Sequence, residues 1–149
     1  MMPTNSELRY TLLEQHGQLR MTIETARTIA RKALAQRGSA GEMQAAVVAL
    51  QRQLLAHLAD EEKLLGPILP QLDAWGPVRL DLLRAEHAHQ RAVLAVLTEP
   101  EARLAVTLVA GRTLAICEDL LADMDFEERE LLNDKVLRDD FILLDASDC

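Results

Sequence analysis

The sequence predicts an all-α fold, an up-down-up-down antiparallel four-helix bundle followed by a short C-terminal tail. The chain has 149 residues, which is enough for one hydrophobic core but short for two domains. Hydrophobic residues make up 49% of it, whereas it has only 6 glycines and 5 prolines. Apolar residues recur every three or four positions along four long segments with short connections. We therefore predict a bundle domain over 1–134 and a tail over 135–149.

The first predicted helix covers about 5–37. Apolar positions and one histidine advance through it by alternating steps of four and three, as on the inward stripe of an amphipathic helix. Arg37 and Gly38 then supply a basic last turn and a stop signal. The stripe consists of Leu12, His16, Leu19, Ile23, Ala26, Ala30 and Ala33.

The second predicted helix covers about 41–65 and ends where Gly66 and Pro67 make continuation unfavourable. Its stripe contains Leu50, Leu54, His57, Glu61 and Leu64. The following connection, 66–76, has room for one helical turn. We expect it to pack Ile68, Leu69 or Trp75 over one end of the bundle, with Trp75 as a structural plug.

The third predicted helix covers about 77–97, and the fourth covers about 99–133. Pro77 suits a first helical turn, and the inward face that follows includes His87. Thr98 and Glu101 have the spacing of a capping box for the fourth helix. In the tail, the apolar run 141–144 lies between acidic residues, so we expect it to pack on the bundle or on a second subunit, which makes a homodimer possible.

Charge and cysteine content exclude several kinds of protein. The 24 acidic and 16 basic residues give a formal charge of -8, which opposes binding to nucleic acids or anionic membranes. No apolar run approaches the roughly 20 residues that span a bilayer. We therefore expect a cytoplasmic protein without nucleic-acid or membrane partners. Two cysteines, Cys117 and Cys149, make neither a disulfide framework nor a CxxC site, and Cys117 is expected in the core.

An internal repeat relates the two halves of the chain. Leu54-Leu55-Ala56-His57-Leu58-Ala59-Asp60-Glu61-Glu62 is matched by Leu120-Leu121-Ala122-Asp123-Met124-Asp125-Phe126-Glu127-Glu128, 66 residues later. The first and third helices share a histidine followed by an arginine four residues on, at His16 and Arg20 and again 71 residues later at His87 and Arg91. The chain therefore reads as two related helix hairpins.

The repeated polar residues fall on the apolar stripes, where polar groups are costly unless they are hydrogen-bonded or bind an ion. Buried carboxylates alone would repel one another and take up protons. Mixed nitrogen and oxygen ligands suit iron, manganese or zinc, and two carboxylates able to bridge favour two metal ions. The predicted ligands are His16, His57, Glu61, His87, Asp123 and Glu127.

Neighbouring polar residues are not included among the predicted ligands. Glu62 and Glu128 are interpreted as solvent-exposed helix charges. Glu86 and His89 lie beside His87 but off its face, which indicates supporting or surface roles.

These residues resemble the hemerythrin-like (HHE cation-binding) family over about 10–135. The resemblance consists of an early histidine, His16, then His57-x-x-x-Glu61-Glu62, then Glu86-His87, and Glu127-Glu128 in the fourth helix. It implies a non-haem di-iron centre with Glu61 and Glu127 as bridging carboxylates. It also implies O2, peroxide, nitric oxide or iron itself as the small ligand.

The sequence departs from the family pattern at two positions. Asp123 stands where the family has a histidine, and Arg91 stands where the oxygen-carrying hemerythrins have a second histidine on the third helix. An anionic ligand in place of an imidazole favours ferric iron, which makes reversible oxygen carriage difficult.

Three functions remain open from the sequence. The first is a di-iron protein that binds or senses a small ligand, and the second is an oxidase-like or peroxidase-like di-iron enzyme. The third is a metal-free helical interaction module, in which Asp123 marks a degenerate site.

Overall fold

The computed structural model describes residues 2–98 and 105–139, and this part of the chain is all-α, without strands. It forms the predicted four-helix bundle, in which α1 packs on α2 and α5, and α4 packs on the same two helices. One short helix, α3, lies in the connection between the second and third long helices. The helices are α1 (Asn5–Leu34), α2 (Ala40–Leu65), α3 (Leu69–Leu72), α4 (Gly76–Thr98) and α5 (Val106–Glu130).

Both ends of α1 are closed by local hydrogen bonds. At its start, the Thr4 hydroxyl accepts a bond from the Glu7 amide and the Glu7 carboxylate accepts one from the Thr4 amide, which is a capping box. Its end comes at Leu34, three residues earlier than predicted. Gln36 takes the left-handed conformation (φ 58°) that terminates the helix, so the stop lies before the predicted Gly38.

The connection after α2 contains the predicted helical turn, α3, but packs differently from the prediction at Trp75. Leu69 is fully buried, whereas Trp75 is 67% exposed, so Trp75 does not plug the bundle. The connection also brings α3 close to the start of α4. A Cβ atom on Gly76 would lie 1.7 Å from the Leu69 carbonyl oxygen, so this position requires glycine, and the preceding Trp75 points outward.

The helix α4 matches its prediction to within one residue at each end, whereas α5 begins later than predicted. Ala105 is extended (φ -57°, ψ 141°), so the helix begins at Val106 instead of near 99. Thr98 ends α4, and its hydroxyl donates to the Leu94 carbonyl. The predicted capping partner Glu101 lies outside the described residues. The helix α5 ends at Glu130, three residues before the predicted end.

The described part of the tail, 135–139, packs against the start of α1. Leu137 is fully buried, and the Asn5 side-chain amide donates to the Arg138 carbonyl over 2.7 Å. The Ser6 amide donates to Asp139 Oδ1 over 2.9 Å. The apolar run 141–144 lies outside the described residues. Within the described ranges, no helix is both long and apolar enough to cross a bilayer.

The core consists of two apolar clusters that occupy opposite ends of the bundle. Cys117 is buried in the larger cluster, as predicted. The larger cluster includes Leu19, Ile23, Leu50, Leu54, Leu58, Leu94, Leu120 and Met124, and the smaller one includes Leu8, Leu12, Leu65, Leu69, Leu80, Leu83, Leu131, Leu132 and Leu137. The helices α1, α2 and α4 contribute to both clusters, whereas α5 contributes to the larger one, and Leu131 and Leu132, which follow α5, contribute to the smaller one.

Candidate metal centre

The polar residues of the helix stripes form a layer between the two apolar clusters. On α1, His16 lies between Leu12 of the smaller cluster and Leu19 of the larger one. Glu127 of α5 lies in the same way between Met124 and Leu131, the residue that caps the helix. The helix period places these polar residues on the inward faces, and the packing of the helices brings them together in one layer.

Four of the six predicted ligands lie together. Ligand atoms of His16, His57, Glu61 and Glu127 all lie within 4.8 Å of one another, and all four residues are buried. His57 Nε2 is 2.7 Å from Glu61 Oε2, and His16 Nε2 is 3.3 Å from Glu127 Oε2. The imidazole rings of His16 and His57 meet edge to face, with centroids 4.9 Å apart.

The other two predicted ligands lie beside this group. His87 is fully buried, with its Nε2 3.9 Å from Glu61 Oε1. The two Glu61 oxygens therefore face different histidines, as a bridging carboxylate requires. Asp123 is only partly buried, accepts a 2.9 Å hydrogen bond from the Gln90 side-chain amide and interacts with Glu127.

The tautomer of His57 follows from its neighbours. Gln15 Nε2 donates to Asp60 Oδ2 over 3.0 Å, which turns Gln15 Oε1 toward His57 Nδ1 at 2.8 Å. Because that oxygen can only accept, Nδ1 carries the proton. Burial lowers the pKa of His57 to about 4, so at neutral pH its Nε2 carries no proton and has a lone pair that can bind a metal ion. His57 Nε2 therefore offers a lone pair to the Glu61 carboxyl, 2.7 Å away, or to a cation.

The ion pair of Glu62 and Arg91, which was not predicted from the sequence, orients His87. Its Nδ1 lies 2.9 Å from Glu62 Oε1, and Arg91 holds both oxygens of Glu62 at 2.8 and 3.1 Å. The hydrogen bond from Arg91 lowers the pKa of Glu62 to about 2, so this carboxylate is ionised. It therefore accepts a hydrogen bond from the Nδ1–H group of His87. Glu62 is therefore not the freely exposed charge that was predicted.

A similar Glu/Arg pair lies near His16, although His16 Nδ1 makes no hydrogen bond. Arg20 holds both oxygens of Glu128 at 2.8 and 2.5 Å, and Glu128 Oε1 lies 3.4 Å from His16 Nδ1. The hydrogen bond from Arg20 lowers the pKa of Glu128. Here too, the prediction of a solvent-exposed glutamate was wrong. The internal repeat carried the signal, because it paired Arg20 with Arg91 and Glu62 with Glu128.

The inner carboxyls resist ionisation when no cation is present. Burial raises the pKa of Glu61 and of Glu127 to about 7. Burial, together with the charge of Glu127, raises the pKa of Asp123 to about 6. Burial lowers the pKa of His16, but the neighbouring Glu127 outweighs this effect and raises it. A cation would restore the ionised carboxylates, because it supplies the missing counter-charge.

The buried donor atoms fit a cation. Both Glu61 oxygens, His16 Nε2 and His87 Nε2 are buried and have no hydrogen-bond partner. Native proteins leave few such atoms unsatisfied, since each costs about 1–3 kcal/mol. All four atoms belong to the same polar layer, and nitrogen and carboxylate donors suit iron, manganese or zinc. The layer can therefore hold metal, whereas the outer side chains of His89 and Glu86 take no part in the tight group.

The family comparison agrees with this geometry. The model of the hemerythrin HHE cation-binding domain matches residues 8–136, which is nearly the whole chain. Comparison with curated protein sequences gave no match, and comparison with solved structures gave none. The family match and the buried His/Glu group together indicate a metal-binding site. The chain belongs to the hemerythrin HHE cation-binding family.

Proposed function

We propose that this protein is a non-haem di-iron protein that binds or senses a small ligand such as O2, peroxide or nitric oxide. The observation that supports the proposal most is the set of unpartnered buried atoms around Glu61. Its two oxygens face His57 and His16 on one side and His87 on the other. A carboxylate in that position is suited to bridging two ions.

We assign His16 and His57 to one ion, and His87 and Asp123 to the other. Glu61 and Glu127 would be shared by both. Two divalent ions would offset the two buried carboxylates and the partly buried Asp123, whose raised pKa values disfavour ionisation without them. Manganese or zinc in place of iron is the alternative that chemical analysis would identify.

When bound, an iron pair supplies redox chemistry and affinity for small oxidants. The protein's own residues fix His57 and His87 through Nδ1, exclude water with the two apolar clusters and leave Asp123 partly accessible. An aspartate ligand favours ferric iron, which fits a sensor or an oxidant-handling protein better than a reversible carrier. An oxidase-like or peroxidase-like enzyme would use the same site and would differ by catalytic turnover.

Chemical analysis of the purified protein tests the proposal. Protein prepared without chelator should contain about two irons per chain by elemental analysis, from the ligand count of such centres. Its visible absorption should change on reduction with dithionite. His57→Ala should lower the iron content to well below half, because it removes a buried ligand. A parent protein without metal would support the interaction module instead.

His89→Ala is the matched control for histidine loss. This imidazole lies on the exposed side of α4, away from the polar layer. Its iron content and spectrum should equal those of the parent protein. Equal losses in His57→Ala and His89→Ala would contradict the site.

A further inference from the structure

Gln90 is a buried polar residue that is neither a predicted ligand nor part of a Glu/Arg pair. It is 8% exposed and lies three residues after His87, on the same inward side of α4. Thr113 is also buried, but its hydroxyl donates to the Val109 carbonyl of its own helix. The side-chain amide of Gln90 instead reaches a residue of another helix, which indicates a role between the helices.

Two carboxylates fix the orientation of the Gln90 amide. Its Nε2 atom donates to Asp123 Oδ2 over 2.9 Å and to Glu86 Oε1 over 3.5 Å. Ionised carboxylates only accept hydrogen bonds, so the nitrogen of the amide, and not its oxygen, faces Asp123. Gln90 therefore ties α4 to α5 on a side of the polar layer where Asp123 and Glu86 are only partly buried.

The hydrogen bond from Gln90 engages only one oxygen of Asp123. Gln90 holds Oδ2, which leaves Oδ1 for an ion. The same carboxyl group interacts with Glu127, so Asp123 reaches the polar layer while Gln90 holds it. A carboxylate can bind a metal ion through one oxygen or through both. With Oδ2 engaged by the amide, binding through Oδ1 alone is favoured.

The amide suits this role because it carries no charge. In the Glu/Arg pairs beside the histidines, the arginine offsets the charge of the glutamate. Gln90 donates a hydrogen bond to Asp123 without offsetting its charge, so the carboxylate keeps its attraction for a cation. Partners that hydrogen-bond to a metal ligand in this way set the direction in which the ligand binds.

We propose that Gln90 is a positioning residue that restricts Asp123 to binding through Oδ1. One position of the ion assigned to His87 and Asp123 then stays free for the small ligand, so this role of Gln90 rests on the proposed di-iron function. Asp123 is partly exposed, whereas His16 and His57 are buried, so a small ligand reaches the α4/α5 side more directly. Without Gln90, Oδ2 would be free to bind the same ion and occupy that position.

Azide binding to the ferric protein, measured by visible absorption, tests this role. Gln90→Met keeps the approximate size of the side chain but removes the donor. Its iron content should equal that of the parent, about two per chain. Its azide dissociation constant should rise by at least about tenfold, the lower end of the range for loss of supporting partners.

Gln51→Met is the matched control. Gln51 Nε2 also donates to a side chain of another helix over 2.9 Å, at Thr98, outside the polar layer. This variant should bind azide as the parent does. Far-UV circular dichroism should show the same helix content in all three proteins, and Gln90→Leu replaces Gln90→Met if that variant does not fold.

A second background separates this role from a general effect on packing. In Asp123→His, position 123 offers a single ring nitrogen to the ion and has no second atom that can close the free position. Adding Gln90→Met should then change azide binding by less than about twofold. A tenfold loss in this background as well would show that Gln90 acts through packing and would overturn the proposal.

Iron content separates the role of Gln90 from the proposed function. A parent without iron would contradict the di-iron centre itself. Iron in both proteins with equal azide binding, or an iron-loaded parent that binds no azide, would overturn only the role of Gln90. Loss of iron from Gln90→Met would also overturn it, since Gln90 would then hold Asp123 for metal binding instead of limiting it to one oxygen.

Discussion

The two halves of the polar layer differ in their predicted ligands, although a similar Glu/Arg pair lies beside one histidine of each half. The α1/α2 half offers two imidazoles, His16 and His57, and both are buried. The α4/α5 half offers the imidazole of His87 and the carboxylate of Asp123, which is partly exposed and bonded to Gln90. Both imidazoles of the first half are buried, whereas the second half adds a carboxyl group that is more open to solvent. In the proposed centre, this difference would give the two metal positions different surroundings.

The supports show that this difference is confined to the ligands. His16 is backed by Glu128 and Arg20, and the same trio recurs at His87 with Glu62 and Arg91. Second partners of this kind orient the imidazole and raise its basicity as a donor. The Glu/Arg pair is therefore present in both halves of the repeat, whereas His57 in one half corresponds to Asp123 in the other. The substitutions below test each level of this comparison.

The largest effect is expected from Glu61→Ala, because both halves share Glu61. This variant should lose both ions and should melt at a lower temperature than the parent, since the remaining inner carboxyls keep no counter-charge. Elemental analysis and thermal melts measure the two effects. Glu14→Ala, an exposed acid on α1, is the control. Full metal content in Glu61→Ala would remove the centre as described.

Asp123→Ala should affect only one half. We expect about one iron per chain, because the α4/α5 position loses a ligand that the α1/α2 position does not use. Asp123→His should keep both ions and slow the oxidation of the ferrous protein by air, since a neutral donor replaces an anionic one. If Asp123 is instead a relic, both variants should match the parent in metal content and in oxidation rate.

The arginines that hold Glu128 and Glu62 should contribute less to metal affinity than the ligands do, and by similar amounts in the two halves. Arg20→Met and Arg91→Met should each weaken metal binding by roughly 10-fold to 100-fold, as for loss of other supporting partners. A competition titration with a coloured chelator measures the affinity. Arg79→Met is the control, because Arg79 pairs with Asp73 outside the polar layer. Unequal losses would show that one half dominates binding.

The smallest effect concerns the stability of the metal-free protein. The pKa values of Glu61 and Glu127 are raised to about 7 and that of Asp123 to about 6, so the folded state holds protons that the unfolded chain releases. Their stabilising contribution is lost as the pH rises through these values. The lowered pKa values of His57 and His87 oppose this until the unfolded imidazoles have lost their protons, about one pH unit above 6.5, whereas the raised pKa of His16 adds to it.

Thermal melts of the metal-free protein should therefore fall by roughly 3–6 °C between pH 6.5 and pH 8. The iron-loaded protein should show no such fall, because bound cations keep the carboxylates ionised at both pH values. A metal-free protein that becomes more stable over this range would contradict the raised pKa values.

The bundle was predictable because helical periodicity is a strong and local signal. The stripe through His16 and the stop near Gly66 were read from single segments and agree with the structure. Helix ends depend on backbone conformation, which is why Gln36 rather than Gly38 ends α1. The start of α5 was misplaced because its capping signal competes with the end of α4 at Thr98.

The buried residues of the candidate site were predictable from the sequence, whereas the Glu/Arg pairs around them were not. Polar residues on apolar stripes identified Glu61 and Glu127 without any knowledge of the packing. Glu62 and Glu128 were misread because adjacent charges on a helix usually face solvent. Their role depends on side chains from other helices, and a helical pattern does not say which helix is the neighbour. The prediction for Trp75 was wrong because the packing of the connection between α2 and α4 is also not visible in a helical pattern.

The position of the polar layer between two apolar clusters also limits how an ion could come and go. Hydrocarbon closes the layer above and below along the bundle axis, so movement toward either end of the bundle would require a cluster to open. The side between α4 and α5, where Asp123 is partly exposed, offers a shorter route. The residence time of a bound ion should therefore be governed by rotations of Gln90 and Asp123 rather than by the unfolding rate of the protein.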